Sequence, residues 1–139
     1  MVLGDFEGTI NPDYPLSGYP LFNAPQSVTA VISDAGYDVM DLAHNHILDS
    51  GLEGAFTTAD AFKEVGIDPV GVYENPVRDK APLFIKNVNG IKVAILSYAY
   101  GFNGLESNLT EKEIANHLSN LDEKRMKVEI EQIGRERLN

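Results

Sequence analysis

The residues best suited to chemistry stand together in Leu42-Ala43-His44-Asn45-His46, directly after an alternating run, Tyr37 to Leu42, that reads as a short strand. Two imidazoles and an amide side by side offer metal donors and a proton carrier at once. The same side chains could instead hydrogen-bond to the loop backbone. A second group, Asp5-Phe6-Glu7, ends the apolar stub Val2-Leu3. In an extended chain Asp5 and Glu7 fall on one side, where both, or Glu7 alone, could face a cation; a solvated acidic turn is the alternative. Taken together, two strand ends carrying carboxylate, amide and imidazole, with His44 counted among the donors, make a hard-to-borderline divalent site. Asp49 either orients a histidine from behind or caps the helix that begins near Gly51.

Two further loops carry weaker signals. Gly71-Val72-Tyr73-Glu74-Asn75 follows a predicted strand, so Glu74 and Asn75 either line a ligand pocket or form a plain turn. Tyr98, Tyr100, Phe102 and Asn103 follow a predicted hairpin strand and either contact a ligand or pack into the core. His117 lies in a polar break and reads as a surface residue.

The elements that must position these groups alternate. A helix is expected from Ser27, where Val28, Val31, Ile32 and Ala35 recur at helical spacing before Gly36. A second is expected from Gly51, with Leu52, Ala55, Phe56, Ala59, Phe62 and Val65 on one stripe and Gly66 at its end. Ile67 to Val72 reads as a strand, and Asn89-Gly90 between Leu83–Val88 and Ile91–Tyr98 as a hairpin turn. Residues 11–25 hold Pro12, Pro15, Pro20 and Pro25, which forbid a regular helix and imply an ordered loop. Thr110 and Glu113 have capping-box spacing, and a last helix from Asp122 would present Met126, Ile130 and Ile133. Strands alternating with helices imply an α/β layered domain.

Composition narrows the function. The 139 residues are 43% hydrophobic and include no Cys, which excludes thiol catalysis, thiolate zinc sites and disulfide scaffolds. The net charge of −10 argues against a nucleic-acid partner. The excess is local: Met1 to Phe62 holds nine acidic residues and no Lys or Arg. Crowded carboxylates without basic partners are relieved by a cation or by solvation. Neither a secretory signal nor an apolar run of membrane-spanning length is present, so a soluble chain is expected.

At Gly4-Asp5-Phe6-Glu7-Gly8, Phe22-Asn23-Ala24-Pro25, Gly36-Tyr37-Asp38-Val39, Leu42-Ala43-His44-Asn45-His46-Ile47-Leu48-Asp49, Asn89-Gly90-Ile91-Lys92-Val93-Ala94 and Tyr100-Gly101-Phe102-Asn103-Gly104, the chain resembles the CapA/PgsA-like poly-γ-glutamate capsule-biosynthesis family, within the calcineurin-like metallophosphoesterase superfamily. The resemblance implies a layered metallophosphoesterase-like sheet flanked by helices, here a partial domain over residues 1–139. It implies that Glu7 ligates or borders a metal, that Asn45 is a ligand, and that His46 is the general acid or phosphate-contacting imidazole. The implied cofactor is a divalent ion, Mn, Fe or Zn, supporting metal-dependent hydrolysis. His44 stands where the family commonly has Asn. Family strands expected before and after this segment are missing, so the ligand set is expected to be incomplete. Implied partners are a polyanionic capsule polymer or its synthesis machinery, and a second copy of the chain. The family works outside the cytoplasm, held at the membrane by an anchor not found in this sequence. The contrasting expectation is a non-catalytic scaffolding module.

Overall fold

A computed structural model describes residues 1–136; residues 137–139, the end of the expected partial domain, lie outside the described residues. Strands β1 (Leu3–Asp5), β2 (Val39–Asp41) and β3 (Asp68–Val70) form a parallel sheet in the order β1-β2-β3. Helices α1 (Val28–Asp34) and α2 (Gly51–Glu64) make the two crossovers. The register sets Asp5 beside Asp41 and Asp41 beside Val70, so the carboxyl ends of the strands are level. That levelling gathers the functional loops at one end of the sheet, as parallel sheets do.

Alternation in Tyr37–Leu42 predicts a strand with one wet face, yet Val39 and Met40 are both buried. β2 is the central strand and is covered on both faces, which is where parallel strands lose alternation. The core joins Met40 and Leu42 to Ile10, Ile47, Ala55, Ala59, Phe62, Ile67 and Leu118. Phe62 meets Phe6 edge-on at a centroid distance of 5.1 Å, which seats α2 beneath the loop that follows β1.

The proline-rich segment is ordered by Asn23. Its Nδ2 donates to the carbonyls of Asn11, Tyr14 and Pro15, and its Oδ1 accepts from the Asn11 amide at 2.8 Å. One buried amide thus substitutes for the backbone pairing that the prolines prevent.

The hairpin forms as expected, from β4 (Phe84–Val88) and β5 (Ile91–Ile95), with Asn89 and Gly90 at φ 52° and 89°. Two successive left-handed residues match the twist of the strands they join. Lys86 pairs with Asp68 at 2.8 Å and ties the hairpin to β3. Helix α3 (Glu111–His117) begins with the capping box of Thr110 and Glu113. Bridges Val72–Leu118 and Ala99–Asn120 then return the chain to the sheet end before α4 (Glu123–Glu136).

Two expectations are corrected here. His117 is half-buried, its Nδ1 lying 2.7 Å from the Tyr73 carbonyl and its ring packing edge-on to Phe56 at 5.2 Å. It fixes the returning chain against α2, which the polar residues around it conceal in the sequence. On α4, Ile130 is 57% exposed, and the sheltered stripe runs instead through Arg125, Met126, Glu129 and Ile133. The sheltering stripe is partly ionic, which a search for apolar periodicity passes over.

Candidate active site at the strand ends

Three connections converge at the carboxyl end of the sheet. The first, after β1, presents Asp5 and Glu7, both exposed. Asp5 is held above the usual carboxylate range by partial burial and then by the negative charges of Asp41 and Glu7. The second is the tight turn after β2 that carries His44, Asn45, His46 and Asp49. The third is the loop after β5 that brings Asn103, itself at φ 56°.

His46 is the centre of this arrangement. Its Nδ1 lies 2.8 Å from Asp49 Oδ2. The Asp49 side chain is 1% exposed and that of His46 12%. A carboxylate can only accept here, so Nδ1 carries the proton and Nε2 is left as the outward nitrogen, 3.9 Å from Glu7 Oε1. Asp49 Oδ2 also accepts the Phe22 amide at 2.6 Å, and the Phe22 ring packs edge-on against His46 at 4.6 Å. Of the two roles open to Asp49, the structure places it behind the histidine; no side chain caps α2, whose N-cap residue is Ser50.

Asn103 reaches the same group. It accepts a hydrogen bond from Asn45 Nδ2 at 3.1 Å, and its own Nδ2 lies 3.4 Å from His46 Nδ1. The second is a contact between two donors, because Nδ1–H is committed to Asp49.

His44 is turned inward. Its Nδ1 accepts the His46 amide at 3.1 Å and its Nε2 is buried without a partner. Burial, reinforced by the neighbouring His46, holds its pKa down at about 4, so the imidazole is neutral and braces the turn.

Two residues at this site go unmarked in the sequence reading. Asp41 ends β2 next to Asp5, accepts the Ala43 amide at 2.9 Å and is hydrogen-bonded by the Ser97 hydroxyl. Its signal is available: an acid at the last position of a strand whose parallel neighbour also ends in an acid. Ser97 has no comparable signal, since its place depends on how the hairpin docks. Glu74 and Asn75 lie exposed on the turn after β3, and Tyr100 is 97% exposed. Glu7 and Asn45 are both exposed, so the His46 site opens to solvent on their side.

The donor set is tested by this geometry. Asp5 and Glu7 lie close enough for their charges to interact, yet among the described residues no three His, Asp or Glu side chains converge as a metal cluster. The residues present do not complete a divalent site by themselves.

The family model described as bacterial capsule synthesis protein PGA_cap matches residues 1–137. The chain belongs to this family. The capsule biosynthesis protein CapA of Bacillus anthracis is 38% identical over 80 residues, which cover 58% of this chain and 19% of that protein. Two uncharacterized proteins of Sinorhizobium fredii, y4sH and y4uA, are each 37% identical over 67 residues, 48% of this chain and 14% of theirs. The match thus spans less than a fifth of these relatives. No solved structure matches. The capsule-synthesis family and the mixed α/β architecture agree with the sequence reading. No helix among the described residues is long and apolar enough to cross a membrane.

Proposed function

We propose that this chain carries the acid–base centre of a protein that assembles or exports a poly-γ-glutamate capsule outside the cytoplasm, with His46 exchanging a proton with the reacting group. The observation that carries this reading is the buried Asp49 carboxylate 2.8 Å behind His46. A carboxylate so placed fixes the tautomer and orientation of the ring and leaves Nε2 to work on the open face. Asn45 and Asn103, already bonded to each other, supply amides beside the His46 ring for an oxygen of the substrate. An open face suits a chain-like substrate better than an enclosed small molecule.

The reaction class is hydrolysis or transfer, as in metallophosphoesterase-like enzymes. For the divalent ion that the resemblance implies, Glu7 and Asn45 would be the contributed ligands, and the remainder would come from outside this chain. The acidic face itself repels a polyanion, so polymer carboxylates would be held away from Asp5, Asp41 and Glu7 while the scissile group meets His46.

A non-catalytic scaffold is the second reading, favoured by the incomplete donor set. Complementation separates the two. In a capsule-deficient strain carrying this protein, His46→Gln should abolish surface polymer while leaving protein level and folding intact. Full capsule from that variant would leave only the scaffold.

A further inference from the structure

We propose that the cavity between β3 and the β4–β5 hairpin binds a small carboxylate ligand, with Arg78 pairing its head group and the hydrophobic wall holding an apolar body. This cavity adjoins the His46 site through Ser97, which lines it and hydrogen-bonds Asp41, but the proposal does not rest on the reading given for that site. The cavity measures about 280 Å³ and is walled by Val70, Val72, Leu83, Ile85 and Ile95, with Arg78 and Glu129 at its polar end.

Arg78 is the observation that points to a ligand. It is 5% exposed, and among the described residues its only hydrogen bond runs from Nη1 to the Leu118 carbonyl at 3.1 Å, while Nε is buried and finds no partner among them. The nearest carboxylate oxygen, Glu129 Oε1, lies 3.8 Å from Nη2, beyond hydrogen-bond reach. Glu129 is occupied elsewhere: Oε1 accepts from Arg125 Nε at 3.0 Å, and Oε2 accepts the Tyr98 hydroxyl. The guanidinium is meanwhile held in place by the rings of Tyr73 and Tyr98, at 5.9 and 5.3 Å. A buried cation with idle donors is an exception in folded proteins, and its planar fork matches a carboxylate. The ligand is monoanionic because Glu129 would repel a dianion such as phosphate. Its body is a short aliphatic chain because Val70, Val72, Leu83, Ile85 and Ile95 offer side chains for it to pack against.

The test titrates hexanoate, hexanol and inorganic phosphate into the isotopically labelled chain and follows the amides of Val70, Val72 and Ser97 by NMR. Hexanoate should give saturable shifts at millimolar concentration, and hexanol and phosphate should not. Glu129→Gln should tighten hexanoate binding by about tenfold, the size of one partly desolvated like-charge contact removed. Leu83→Trp, which fills the cavity, should abolish binding; if that variant does not fold, the Glu129→Gln comparison still decides. The proposal is overturned if hexanoate gives no saturable shift, if hexanol or phosphate binds as well, or if Glu129→Gln leaves the affinity unchanged.

Discussion

Replacing His44 by Asn should flatten the acid limb of the stability curve. His44 takes up a proton near pH 6.5 when unfolded but only near pH 4 when folded, because burial and the adjacent His46 oppose its charge. Between those values the unfolded chain binds more protons, so stability falls as pH falls through this window and is level above it. The folded-to-unfolded difference converts to about 2 kcal/mol lost at pH 5 and about 3 kcal/mol at pH 4, at 1.36 kcal/mol per unit. Asn can keep the local structure, since its side-chain oxygen can accept the His46 amide that His44 Nδ1 now accepts. The assay is urea unfolding at pH 7.5, 6, 5 and 4.5 in the presence of chelator, for the parent and His44→Asn. The variant should lose about 2 kcal/mol less than the parent between pH 7.5 and 5. Parallel curves would refute the claim that a buried neutral imidazole braces this turn.

Three other substitutions test the frame. Gly71→Ala would set a Cβ 2.7 Å from the Ala43 nitrogen and 2.9 Å from Ser97 Oγ at φ +96°, and should cost about 2–4 kcal/mol in chemical denaturation. Asn23→Ala strips three carbonyls and the Asn11 amide of their partner, and should cost about 3 kcal/mol and speed chymotryptic cleavage after exposed Leu16 or Leu21. Thr110→Ala removes the capping box and should lower stability by about 1 kcal/mol, read by thermal unfolding with the His46 site unaffected.

Local signals carried most of the architecture. The Asn-Gly turn, the Thr110–Glu113 box and the apolar stripe of α2 are written in neighbouring residues, and each forms where its chemistry requires. The Leu42–Asp49 turn was legible for the same reason, since His44, Asn45, His46 and Asp49 are sequence neighbours after one strand. What escaped was set by distant parts of the chain. Asp41 meets Ser97 across 56 positions, Phe22 meets Asp49 across 27, and the Arg78 cavity exists only once the hairpin and α4 dock. Tyr100 shows the converse: its aromatic type suggests a ligand contact or a core position, and the chain's path, which leaves the ring 97% exposed, removes the second.

On the proposed function, Asp49 acts through His46 as one acid–base unit. A double-mutant cycle in a capsule-deficient strain carrying this protein tests it, with surface polymer per cell as the readout for His46→Gln, Asp49→Asn and the pair. If the two act together, the double variant loses no more than His46→Gln alone, as interdependent catalytic groups do. Losses that multiply, or an Asp49→Asn variant with undiminished capsule, would contradict the claim.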